Sequence, residues 1–409
     1  MLNIDFIRSN LRWLGAGFLL SFSSSFGQTY FISLFSGDLR DLFGLSHGEF
    51  GGLYTIATLS SAATLVWLGK LADSQPLARL ASMTIVGLAL AAIAMASVFS
   101  PIMLVVVFYA LRLLGQGMLS HLAFTAMGRW YRAQRGQAIA IAAMGFPAGE
   151  ALFPIVAVAL VAWIGWRETW LVAAGVLLAV LLPAMLLLLS RGRTPKGYRA
   201  DGGDDDGTAP RDWTRGEVLR DPLFYALMPG LLAPPFILTG VIFNQVHLVE
   251  VKGWSLAAFA VAYPAYSLAA VSASLLYGIA TDRWGSGRLL PVYLLPLASA
   301  LVLLAFGTAP WTPLAFMALS GFTAGAATTL LGALWAEIYG TRHLGAIRAL
   351  AVASMVFATG VAPGMMGALI DLGIDITDQI LAMAGYTLAA ALLFLGLNMA
   401  TPRLTRTAA

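Results

Sequence analysis

Long apolar runs set the pattern of this chain. Stretches of about 20 apolar residues, each enough to cross a bilayer core of about 30 Å, recur between short polar breaks. They predict helices near 12–35, 46–68, 79–99, 101–122, 137–162, 169–190, 222–247, 255–279, 288–307, 311–335, 344–370 and 379–400. Lipid offers no hydrogen bonds to the backbone, so repeated runs of this length mean helices rather than a barrel. The predicted fold class is an all-α membrane protein with 12 transmembrane helices in two pseudo-symmetric six-helix bundles. The predicted domains are an N-terminal half at 1–190, a cytoplasmic linker at 191–221 and a C-terminal half at 222–409. The linker region is the one long polar stretch and carries the acidic run Asp204-Asp205-Asp206.

Composition supports this. Of the 409 residues 59% are apolar and only 11% charged, against about 25% charged in soluble domains. The net charge of +4 does not imply a nucleic-acid partner, because the charges fall at helix ends. With the N-terminus inside, the outer loops hold only Arg40, Arg167 and Lys252 as basic residues, and the last outer loop carries Asp371, Asp375 and Asp378. That asymmetry follows the positive-inside rule and predicts a multi-pass protein with both termini cytoplasmic. Arg8 and Arg12 precede an apolar run as in a signal peptide, but no small-residue cleavage pattern follows, so the run reads as the first span. The sequence has no cysteine, which excludes a thiolate metal site, and no metal or other cofactor is expected.

The halves repeat. An offset of 209 residues takes Gly44, Ser46, Phe50, Tyr54, Gly69, Asp73 and Arg79 to Gly253, Ser255, Phe259, Tyr263, Gly278, Asp282 and Arg288. The loop after helix two runs from Gly69 through Asp73 to Arg79. Its counterpart runs from Gly278 through Asp282 and Arg283 to Arg288. Both loops resemble the signature loop of the major facilitator superfamily, the second copy more closely, since the first has Ser74 and Pro76 at the expected basic and glycine places. The resemblance covers the whole chain. It implies a secondary transporter whose two halves rock about a central site, with these seven residues as gating candidates. A charge pair made in one state only would bias such an equilibrium; a simple capping Asp in a basic loop is the plainer alternative.

Two ionisable groups fall mid-span, where they are costly and hence candidate functional groups. Arg112 lies roughly 16 Å into helix four at 1.5 Å per residue. Its context, Arg112-Leu-Leu-Gly115-Gln116-Gly117, is similar to the superfamily's helix-four motif. Glu150 lies near mid-depth in helix five. Their repeat counterparts are Gly321 and Thr359, so symmetry does not demand the pair. Glu150 can carry a coupling proton, Arg112 can take part in that coupling or bind an anionic solute, or the two can form a static ion pair. Gly145 and Gly149 form a small-residue stripe beside Glu150, suited to close helix packing. The uncharged substrate-binding candidates are Gln28, Tyr30, Tyr54, Gln116, Asn244, Gln245, Tyr263 and Tyr266, each equally able to serve as an interhelical bond.

The stretches Phe26-Gly-Gln28-Thr-Tyr30-Phe31 and Thr239–Trp254 resemble a bacterial branch of the superfamily that holds riboflavin importers and copper importers. Copper(I) favours soft sulfur ligands. No two Met here stand four apart and no His has Met four residues on, so copper import is disfavoured. The resemblance therefore implies riboflavin uptake as first choice, with a monocarboxylate or other organic anion carried on Arg112 as the alternative. The acid at Glu150 disfavours drug efflux. No nucleotide-binding loop or nucleophile motif suggests an enzyme. A membrane sensor or channel is the other class to separate. The expected partners are a small-molecule substrate, the lipid bilayer and protons, with the chain a monomer in the bacterial inner membrane.

Overall fold

A backbone in lipid must close its own hydrogen bonds, and the computed structural model does so with helices throughout. It describes residues 4–131, 134–190, 212–340, 342–401 and 404, among which there is no strand. The long helices are α1 (Ile4–Ser23), α2 (His47–Leu68), α3 (Leu77–Ala96), α4 (Pro101–Trp130), α5 (Gly136–Ile164) and α6 (Trp166–Leu189). They continue with α7 (Pro222–Phe243), α8 (Leu256–Trp284), α9 (Ser286–Phe306), α10 (Thr312–Tyr339), α11 (Leu344–Asp371) and α12 (Ile376–Ala400). Eleven of these, α2 to α12, are apolar and long enough to cross a membrane. The remaining span is α1 with its broken continuation to Phe43: its first half carries Asp5, Arg8 and Arg12. The chain divides into two compact units, Met1–Gly202 and Gly203–Ala409, with six of these helices in each.

Several boundaries move from those expected. The first helix begins at Ile4 rather than near 12 and breaks after Ser23. Helix four runs on to Trp130 and helix eight to Trp284. The second signature segment is therefore mostly helical. Gly278, Asp282 and Arg283 lie in α8, Arg288 lies in α9, and Gly285 makes the turn between them with φ +79°. In the first copy a short helix, Leu71–Ser74, stands between α2 and α3, and Asp73 belongs to it rather than to the start of α3.

The predicted linker is described only at its far end. Residues 191–211, including the acidic run, lie outside the described residues. Residues 212–221 are not a solvated tether. Thr214 and Glu217 form a capping box on the short helix Arg215–Val218. The Trp213 amide donates to Tyr339 O at 2.9 Å, and the Arg342 amide donates to Asp212 Oδ1 at 3.1 Å. Local caps and an aromatic contact with Tyr339 thus fix this segment to the α10–α11 turn.

Basic side chains close helix C-termini, where carbonyls lack partners and the dipole favours a cation. Arg12 donates to Leu187 O and Leu188 O at the end of α6. Arg167 donates to Ala96 O at the end of α3 at 2.6 Å, and Lys252 to Ala305 O near the end of α9 at 2.5 Å. Ala96 and Ala305 are equivalent in the repeat, yet their cations come from non-equivalent loops.

Candidate polar site in the first unit

The site starts from a break in α1. Ser23, Ser24 and Ser25 follow one another, and the hydroxyls of Ser23 and Ser24 donate back to Leu19 O and Ser21 O at 2.6 Å each. Such bonds compete with regular helix. The backbone tightens to a 3₁₀ turn over Ser24–Gly27, and Gln28 is extended at φ −82°, ψ 151°. A short helix, Thr29–Ile32, resumes.

Gly27 and Gly115 allow this break to press on α4. A methyl on Gly27 would overlap the Leu111 carbonyl and stand 2.8 Å from the Gly115 Cα; one on Gly115 would stand 2.7 Å from the Gly27 Cα. There α4 widens into a π-helical stretch, Arg112–Leu119. Such widenings are frequent at functional sites because they re-aim side chains.

Arg112 opens that stretch and is 5% exposed. Its Nη1 donates to Gly27 O at 3.3 Å and to Thr29 Oγ1 at 3.2 Å. Thr29 Oγ1 and the Tyr54 hydroxyl share a hydrogen bond of 2.9 Å, and the guanidinium lies 5.4 Å from the centre of the Tyr54 ring. The broken helix supplies a carbonyl, and the buried cation finds its compensation in dipoles and an aromatic face. Arg112 Nε has no partner among the described residues.

Glu150 does not complete an ion pair with Arg112. It is half-buried on α5 and has neither hydrogen bond nor ion pair among the described residues. The expected glycine stripe does bring α5 onto α1: a methyl on Gly145 would overlap Phe18 O, and one on Gly149 would overlap Ser25 Oγ. Phe153, one turn past Glu150, sits edge-on to Phe22 and Phe26 with ring centres 5.1 and 4.7 Å apart. The carboxyl therefore has no cation partner, and the nearest landmark along its own helix is the aromatic cluster around Phe153.

The remaining substrate candidates separate. Gln28 and Gln116 are half-buried, and neither side chain has a hydrogen-bond partner among the described residues. Tyr30 and Tyr54 are buried at 7% and 0% exposure. In the second unit the amides are committed internally. Asn244 Nδ2 donates to Gly240 O on its own helix at 2.9 Å, and Gln245 Oε1 accepts from the Tyr263 hydroxyl at 2.9 Å. Tyr266 is half-buried, and its carbonyl meets Gly321 on α10. Sequence reasoning missed Thr29 and Gly27; the serine run ahead of Gly27-Gln28 was the available sign of a helix break.

None of the gating candidates ion-pairs with another among the described residues. Arg79 donates to Gln75 Oε1 at 3.3 Å within its own segment, and Arg283 lies 5.5 Å from the centre of the Trp284 ring. Asp282 and Arg288 are exposed, and the side chain of Asp73 lies outside the described residues. Gly69 is closely packed: its carbonyl lies 3.0 Å from His121 Nε2 on α4.

With two six-helix units and a polar site at a broken first span, comparison with known proteins decides the family. The profile of the Major Facilitator Superfamily matches residues 17–264. The chain belongs to that superfamily. It is 26% identical over 300 residues to an MFS-type transporter of Gibberella moniliformis, covering 69% of this chain and 65% of the relative. It is also 26% identical over 236 residues to the MFS transporter asaE of Aspergillus flavus, covering 54% and 48%. The chain thus matches about two thirds and about half the length of these fungal relatives. Among solved structures it is similar to a bacterial homologue of the human lysosomal transporter Spinster, with TM-score 0.71 and 16% identity over 97% of this chain and 98% of that one. It is also similar to the nucleoside transporter NupG, with TM-score 0.73 and 15% identity over 95% and 99%. At that identity the likeness establishes the fold, twelve transmembrane helices in two bundles. The chain is accordingly a multi-pass membrane protein of that superfamily, and the proteins it matches are named as transporters.

Proposed function

We propose that this transporter moves a small, largely neutral organic solute by alternating access, with riboflavin uptake as the first substrate to test. One observation carries the reading: Arg112 is already held by Gly27 O, Thr29 and Tyr54, whereas Gln28 and Gln116 beside it have no partner. What this half offers a solute is amide hydrogen bonding beside aromatic rings, which suits a flavin's polar edge and flat face. Glu150, unpaired at membrane depth, is the residue for a coupling proton. Gly69, Asp73, Arg79, Gly278, Asp282, Arg283 and Arg288 are the proposed gate. The basic-residue distribution supports cytoplasmic termini in a bacterial inner membrane. We take the monomer as the working unit.

A second reading rests on the unpartnered Nε of Arg112. A carboxylate solute reaching that atom would make the protein a proton-coupled organic anion carrier.

The test is uptake into liposomes of labelled riboflavin, with lactate and copper(I) in parallel, with and without an inward proton gradient. Saturable riboflavin uptake with the others silent supports the first reading. Lactate uptake lost in Arg112→Met supports the second and overturns the first. Glu150→Gln should keep riboflavin counterflow and lose gradient-driven uptake; an unchanged Glu150→Gln removes the proton role. Counterflow of no solute would point instead to a channel or sensor.

A further inference from the structure

The second unit holds a groove separate from the polar site. It lies between α7, α11 and α12, encloses about 660 Å³ and is walled almost wholly by carbon. On α11 the stripe Phe357, Val361, Met365 and Leu369 follows one helix face. At 1.5 Å per residue it runs about 18 Å, close to one leaflet's share, about 15 Å, of the hydrocarbon core. Phe357 and Met365 are 61% and 41% exposed, so the groove is open along its side.

Its two ends differ in chemistry. At one, the Tyr386 hydroxyl donates across to Pro229 O at 2.9 Å, tying α12 to α7. At the other lie Asp378 and Gln379. Asp378 is exposed and has no hydrogen-bond or ion-pair partner among the described residues. It is not needed as a cap, because Asp375 already accepts from the Thr377 amide at the start of α12. Gln379 is 4% exposed. Its amide nitrogen donates to Met366 O and Ile374 O, while its Oε1 has no donor. This end therefore offers a free carboxylate and a free carbonyl oxygen next to a carbon-lined channel of acyl-chain length, while the nearby cations Lys252 and His247 act on Asp375.

We infer that this groove is a lipid site that takes one acyl chain along α11 and holds the primary ammonium headgroup of a phosphatidylethanolamine at Asp378. The carboxylate complements an ammonium and repels an anionic headgroup, so the chemistry selects the headgroup as well as the tail. The inference requires only that the chain spans a membrane. It stands or falls independently of the transported solute.

The test uses the full chain reconstituted in vesicles of equal phosphatidylethanolamine, phosphatidylcholine and phosphatidylglycerol, extracted mildly and read by native mass spectrometry. Bound phosphatidylethanolamine should exceed both others. Asp378→Asn should cut its preference over phosphatidylcholine by about fivefold, the size of a partly exposed charge contact. Ala382→Trp, which fills the groove, should remove bound lipid of every headgroup. Leu392→Trp on the exposed flank of α12 should change nothing. Retention of phosphatidylglycerol equal to phosphatidylethanolamine, an unchanged preference in Asp378→Asn, or undiminished lipid in Ala382→Trp would each overturn the proposal.

Discussion

α4 and α10 occupy equivalent places in the repeat and carry opposite chemistry. Where α4 has Arg112 and Gln116, α10 has Gly321 and Gly325. In the second unit those glycines let α10 lie directly on α8: a methyl on Gly321 would overlap the Tyr266 carbonyl, and one on Gly325 the Ala270 carbonyl. In the first unit the close contact shifts to Gly115 and Gly27, and Arg112 faces the broken α1. Tyr54 and Tyr263 are also equivalent, and both hydroxyls reach the segment before their own helix, at Thr29 and Gln245 respectively. The repeat preserves the scaffold and the tyrosine clasp. The polar site is a departure from the repeat, so the symmetric core alone would not reveal it.

The comparison breaks first at the glycines. Gly325→Ala places a methyl against backbone that cannot move alone, and overpacking of this kind costs about 1–3 kcal/mol. Its equivalent, Gln116→Ala, adds no atoms to a tight contact and should melt close to wild type. Melting curves of the two purified variants decide this, and equal losses would mean that the two helices are packed alike.

Arg112→Met comes next. It removes two bonds from a charged donor, a stabilising contribution of about 1.5–3 kcal/mol, and uptake should fall at least about tenfold, the equivalent of about 1.4 kcal/mol. Arg112→Lys should not rescue uptake, because an ammonium is more strongly hydrated and lacks the flat guanidinium face that lies over the Tyr54 ring. Rescue by Lys would reduce Arg112 to a bare charge.

The tyrosines sharpen the contrast. Tyr263→Phe leaves Gln245 Oε1 without its tyrosine donor at a fully buried residue and should cost about 1–3 kcal/mol while sparing uptake. Tyr54→Phe should lower uptake, because it loosens Thr29 and with it Arg112. A matching transport defect in both would place the site symmetrically.

The smallest effect is at the α12 cap. Hydrogen bonds from the Thr377 side chain and then its backbone hold the Asp375 carboxyl below its usual range, with His247 and Lys252 adding to the effect against some burial. A depressed folded value means stability that is fully present above the ordinary Asp pKa and lost as pH falls through the folded one. Asp375→Ala should therefore melt lower at neutral pH by an amount equivalent to about 0.5–2 kcal/mol. The gap should close in acid, and a pH-independent gap would assign the effect to packing instead.

The length of the apolar runs pointed to twelve spans and the Lys/Arg asymmetry to their orientation, because in lipid a long apolar run has one way to satisfy its backbone. The 209-residue offset exposed the two halves, and the cost of a charge in lipid singled out Arg112 and Glu150. The tertiary structure alone decided what each polar residue touches. It placed Gly27 and Thr29 beside Arg112, left Glu150 unpaired, committed Asn244 and Gln245 within the second unit, and turned most of the second signature segment into helix. Those outcomes depend on where α1 breaks and how closely glycine backbones approach across helices. Contacts of that kind join residues far apart in the chain, and no local pattern encodes them.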